Sequence, residues 1–113
     1  TNNPLESYDK ATGEGAFAVE FGATSITSGN SDELFPADSV KLHEQKITNS
    51  DINPHLKYTN MRDHGYLLLT VNDTEAIAEF KIIATRKKRD NRVRTDAIFK
   101  VNAGQTTLEK LTP

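Results

Sequence analysis

The sequence predicts an α+β fold weighted towards β, and three observations carry that prediction. Two runs each read as a pair of strands joined by a turn: YLLLTV with AIAEFKIIAT, and AIFKV with TTLEKL. Only one stretch, PADSVKLHEQKITN at 36–49, has helical spacing. No repeat, Gly/Ser linker or low-complexity tract divides the 113 residues, so 1–113 is expected to form one structural unit.

Bulk properties narrow the function classes only slightly. A compact chain of this length buries roughly 60 to 70% of its unfolded surface, enough for one modest core. With 35% hydrophobic and 27% charged residues and a mean hydropathy of −0.60, the chain is expected to fold around little core. A net charge of −2 and a pI near 5.9 give no global field for nucleic acid or acidic membranes, so such a partner would need a local patch. No cysteine is present, which removes disulfides, thiolate metal sites and cysteine nucleophiles, and leaves the redox compartment open. The chain starts at Thr1 and has no apolar run of the ~18 to 20 residues that would span a bilayer; it reads as soluble, and as a processed product or an excised piece.

Along the chain, 1–15 is rich in turn formers, with Leu5 and Tyr8 as its only anchors to a core. Phe17, Val19 and Phe21 alternate with Ala16, Ala18 and Glu20, which predicts a strand over 16–21. Gly22 breaks it, and Thr24, Ser25, Thr27 and Ser28 form a hydroxyl-rich loop at the strand end. In 36–49, Asp38 or Ser39 is the expected N-cap and Asn49 the C-cap, with Val40, His43 and Ile47 as a thin apolar stripe. Pro54 turns Asn53 away from helix, and 55–59 reads as extended.

The clearest element is the hairpin of 66–71 and 76–85, turning through Asn72, Asp73, Thr74 and Glu75. In its second strand Ala76, Ala78, Phe80, Ile82 and Ala84 share a core face, while Glu79 and Lys81 stand among Ile77 and Ile83 on the other. Six of the fourteen basic residues lie in RKKRDNRVR at 86–94. The final hairpin turns through Asn102–Gln105, where Gly104 is free to take a positive φ.

Motifs for chemistry are sparse. His43, His55 and His64 are 12 and 9 positions apart and, with Asp63, match no zinc-enzyme spacing; structural histidines are the plainer reading. The carboxylates lie in turns or beside lysines, and Ser25 lacks the nucleophile elbow. Thr12–Gly15, TGEG, is a turn and not a phosphate loop. The basic run reads mainly as a solvated loop, with phosphate or polyanion contact as its functional alternative; no aromatic between Phe80 and Phe99 offers a stacking platform.

Four segments in order carry a family resemblance: YDKATGEGAFAVEF at 8–21, TSITS at 24–28, NPHLKY at 53–58, and HGYLLLTV at 64–71 followed by AEFKII at 78–83. The chain resembles the C-terminal part of PhoD-like enzymes, the alkaline phosphatase D and phosphodiesterase family of metallophosphoesterases, over about residues 8–84. Two positions depart from the family: Thr24 stands where proline is common, and Phe80 where tryptophan is favoured.

The resemblance implies a metallophosphoesterase-like β-sandwich flanked by helices, with metal ions such as calcium and iron in the parent enzyme activating water against a phosphate ester. The family's ligands, ending in a Gly-Asp-x-His motif, belong to earlier segments, and none of those motifs is present, so no metal ligand and no catalytic residue is carried onto this chain. Ser25, Asn53 and His55 are the residues expected near the parent site, each with a structural role as the plainer alternative. The expectation is a C-terminal fragment of a larger phosphoesterase domain, silent alone and binding no metal alone. Its partners would be the rest of that chain and a phosphate-ester substrate, without membrane or nucleic acid, in the periplasm or outside the cell. The alternative is an autonomous β-rich binding domain that uses 86–94 for a polyanion or protein.

Overall fold

A computed structural model describes residues 8–49, 51 and 53–113. The fold is α+β and β-rich: a 3-10 turn at Ser31–Glu33, helix α1 (Ala37–Asn49), then strands β1 (Gly65–Val71), β2 (Glu75–Ile83), β3 (Val93–Asn102) and β4 (Glu109–Leu111). The strands form one antiparallel sheet in the order β1-β2-β3-β4, so each expected hairpin is present and sequence neighbours are sheet neighbours. Asn72 closes the first hairpin, its Oδ1 accepting from the N–H groups of Thr74 and Glu75, the local bonding that suits Asn to turns. Gly104, at φ 75°, turns the second.

The period of two sets the faces as expected as far as Ile82, but β2 ends at Ile83, so Ala84 is exposed and does not join the core face. Leu67 opposes Phe80, Leu69 opposes Ala78, and Phe99 lies beyond Ala78 on β3, so one face collects the apolar side chains. Ala78, Ile82, Ala97 and Phe99 are buried there, and Tyr58 joins Phe80 and Phe99 in an aromatic cluster with centroids 4.7 and 5.7 Å from the tyrosine ring. On the opposite face Lys81 bridges Glu79 at 2.8 Å and Thr95 at 2.7 Å, which satisfies the ammonium among isoleucines.

Several expectations are corrected. No strand forms at 16–21; the segment holds an isolated bridge at Ala18, and Phe17 is 62% exposed. Its alternation has a different cause. Val19 lines a shallow depression with Val71, Ala76 and Val101, and Phe21 lines a cavity with Phe80, Ile82 and Phe99, so the segment lies over the sheet face instead of joining an edge. Leu5 lies outside the described residues, while Tyr8 is held by Lys57 Nζ, 5.0 Å over its ring.

Helix α1 starts at Ala37, with Val40 N–H donating to Pro36 O at 3.1 Å, so the cap position falls on Pro36 and neither Asp38 nor Ser39 takes it. Asn49 is the last helical residue. His43 is exposed; the buried stripe is Val40 and Glu44. Residues 54 and 55 turn, and 56–60 form no strand. The second hairpin is unequal, since β3 starts at Val93 and β4 is only Glu109–Leu111.

Candidate functional site

The residues most able to form a site surround an open cavity of about 530 Å³ over the apolar sheet face. Phe21, Phe80, Ile82 and Phe99 contribute to its apolar wall, and Thr24, Asn30, His55 and Asn60 are among its polar residues. The turn at 53–56, closed by Leu56 N–H to Asn53 O at 3.1 Å, delivers His55 to this wall.

Of the three residues singled out in the sequence, only His55 reaches the cavity. Ser25 is exposed, its hydroxyl donating to Ser28 O at 3.2 Å and its carbonyl accepting from Gly65 N–H at 3.3 Å. These bonds fix the loop against the start of β1. Asn53 is half-buried, and its carbonyl serves the turn. The neighbour Thr24 lines the cavity in place of Ser25, with Asn30 Nδ2 donating to its hydroxyl at 3.5 Å and to Asp63 O at 3.1 Å.

Beside the cavity stands a polar network that sequence reading missed. Asn60 Oδ1 accepts from the N–H groups of Arg62 and Asp63 at 3.1 and 3.0 Å, and its amide donates to Asp63 at 2.9 Å and Asp96 at 3.3 Å. Tyr58 donates to Asp96 at 2.5 Å, and Arg94 pairs with both Asp63, at 3.0 Å, and Asp96. Burial, reinforced by the Asp96 carboxylate, pushes the Tyr58 hydroxyl well above its ordinary range. Burial pushes Asp96 up, but the hydrogen bonds from Tyr58, Arg94 and Asn60 outweigh it and hold the carboxyl below its usual value. Tyr58 is thus a locked donor, not a nucleophile in waiting.

Asp96 owes its place to a bulge. Phe80 pairs with Ala97 but Lys81 pairs with Thr95, leaving Asp96 as the extra residue of β3, and bulges re-aim side chains in this way. No alternation rule locates such a residue beforehand. The Asn-x-x-Asp spacing of Asn60 and Asp63 was the one legible signal, since asparagine commonly bonds the backbone two or three residues on.

A second unforeseen contact holds α1. Glu44, 6% exposed, accepts from Met61 N–H at 2.6 Å and from Arg62 Nε at 3.1 Å. His64 is also buried, its Nε2 lying 3.6 Å from Asp32 Oδ1, beyond direct hydrogen-bond reach. Among the described residues no three of His, Asp and Glu converge in a way that could hold a metal ion, and the side chains present do not fit such a centre.

A family model described as PhoD-like phosphatase matches residues 2–80, a span that takes in the Ser25 loop, α1, the 53–63 segment and the first hairpin as far as Phe80. Neither the curated proteins nor the solved structures give a match. With well over half of its residues inside that match, the chain belongs to the PhoD-like phosphatase family.

Proposed function

We propose that this chain is a structural segment of a metal-dependent phosphomonoesterase or phosphodiesterase of the alkaline phosphatase D type. It supplies sheet strands and part of the surroundings of the active site, while the metal ligands belong to the remainder of the phosphatase chain. The observation that carries this reading is the PhoD-like match over 2–80. In such enzymes a metal centre polarises the phosphate ester and lowers the pKa of the attacking water. Among the described residues no side chains form such a centre, and what they contribute is a wall: Thr24, Asn30, His55 and Asn60 over an aromatic floor, braced by the Tyr58–Asp96–Arg94 network.

Open surfaces support the segment reading. Strand β1 is a sheet edge without a charged residue, Leu69 and Val71 are exposed, and Leu34 is 79% exposed beside Phe35. Uncharged edges and large apolar patches call for a covering element. On this reading the partner is the rest of the phosphatase chain, the substrate is a phosphate ester, and the periplasmic or extracellular location follows from the family resemblance. An autonomous binding domain is favoured by one observation, the exposed cations at 87–89, which make no ion pair among the described residues.

Equilibrium dialysis of the 113-residue chain against calcium, iron, zinc and manganese, followed by elemental analysis, tests the division of labour. Metal at well below one equivalent is expected. A stoichiometric metal that survives dialysis would place ligands within this chain and overturn the reading.

A further inference from the structure

Ion pairing divides the basic run 86–94 into two kinds of residue. Arg86 pairs with Glu33 and donates to Thr27 O at 3.3 Å, Arg92 wraps Asp90 with contacts from 2.6 to 3.1 Å, and Arg94 is held between Asp63 and Asp96. Each of these guanidinium groups is matched by a carboxylate. Lys87, Lys88 and Arg89 are exposed and, among the described residues, make no ion pair. The nearest acid along the chain, Asp90, is already engaged; the hydrogen bonds from Arg92 hold its carboxyl down at about 2.

The loop that displays these cations is fastened. Ala84 N–H donates to Arg92 O at 3.0 Å across its base, Thr85 Oγ1 accepts from Lys87 N–H at 3.1 Å, and Arg86 ties its near side to the 3-10 turn. The outcome is a preformed tip of three consecutive uncompensated cations on a chain whose net charge is −2.

We propose that Lys87, Lys88 and Arg89 form a docking tip for a flexible polymer that carries phosphates along its backbone, of the inorganic polyphosphate type. Lysine ammonium groups are compact point charges on flexible stems, so adjacent side chains can each reach a different phosphate without imposing a rigid geometry. No aromatic residue stands between Phe80 and Phe99 to stack a base, which disfavours nucleic acid. Nor does RKKRDNR contain an apolar residue to enter a bilayer, which disfavours a membrane. The tip lies outside the span of the family match, so the inference stands independently of the phosphatase reading.

The test is binding of labelled inorganic polyphosphate to the 113-residue chain across a salt series. Three contacts predict that log K falls with log salt at a slope of about −2 to −3. Neutralising the tip with K87A/K88A/R89A is expected to weaken binding at least about tenfold at low salt, while K41A/K46A/K110A, which removes the same charge from exposed lysines elsewhere, stays within about threefold. Absence of binding overturns the proposal, as does a slope of about −5 or steeper, which would enlist the paired arginines. Equal losses in the two variants would reduce the effect to net charge. Tighter binding of an oligonucleotide, or of anionic vesicles, than of polyphosphate would assign the tip to that partner instead.

Discussion

Asp96, the extra residue in the β3 bulge, accepts a 2.5 Å hydrogen bond from the hydroxyl of Tyr58, a residue of the irregular segment that covers the sheet. Through this contact the bulge joins the sheet to the wall of the cavity. Replacing Tyr58 by Phe keeps the ring against Phe80 and Phe99 and removes only the donor, so it is expected to cost about 1.5 to 3 kcal/mol in urea unfolding. Tyr58→Ala also opens a space among the rings, and a loss of about 3 to 5 kcal/mol is expected.

The same contact makes stability depend on pH at both ends. The folded pKa of Tyr58 lies above its unfolded value, so its contribution is present in full below about pH 10 and is lost as pH rises from there. The folded pKa of Asp96 lies below its unfolded value, so its contribution is present above about pH 4 and is lost as pH falls further. Asp96→Asn should therefore flatten the acid limb of a stability-pH curve, and Tyr58→Phe the alkaline limb. Parallel curves for variant and unaltered protein would show that the network does not carry these dependences.

Glu44 is the polar lock between α1 and the cavity wall, because one carboxylate serves both Met61 N–H and the Arg62 guanidinium. Glu44→Ala leaves the amide and the arginine without that acceptor. The arginine is about a third exposed, so solvent recovers part of the loss, and a cost of about 2 kcal/mol is expected in thermal or urea unfolding. A double-mutant cycle with Arg62→Ala should show a coupling of about 0.5 to 1.5 kcal/mol; additive losses would mean that the pair does not act as a unit.

Gly65 admits no side chain, since a Cβ built there would stand 1.9 Å from the carbonyl oxygen of Lys81 on β2. That atom is backbone, so relief requires the two strands to part. Gly65→Ala is expected to cost about 3 kcal/mol or more, visible as a large drop in the urea midpoint or in soluble yield. A midpoint within experimental error of the unaltered chain would refute this pairing of β1 with β2.

What could be read from sequence was what repeats along it. The alternation of Ala76 to Ile83 fixed the core face of β2, and the turn residues Asn72 and Gly104 located both hairpins. Val19 and Phe21 misled because an irregular segment lying across a sheet face can half-bury alternate residues as a paired strand does, and Phe17 extends the same alternation while staying exposed, so periodicity alone could not distinguish the two. Glu44 and Asp96 were invisible for another reason. Such an acid is identified by the partners that satisfy it, and apart from Arg94, two residues from Asp96, the partners of this pair lie 17 to 38 residues away. Of Ser25, Asn53 and His55, residue type indicated polar loops, but only the folded chain shows that His55 alone lines the cavity.

The proposed role, a segment of a phosphatase domain whose catalytic centre lies in the remainder of the chain, is open to direct measurement. Turnover by the 113-residue chain tests it most directly, with a chromogenic phosphate monoester and the corresponding diester as substrates and calcium, iron, zinc or manganese supplied. Hydrolysis of both esters is expected to be indistinguishable from the metal-only control. Hydrolysis that scales with protein concentration and persists through repurification would contradict it.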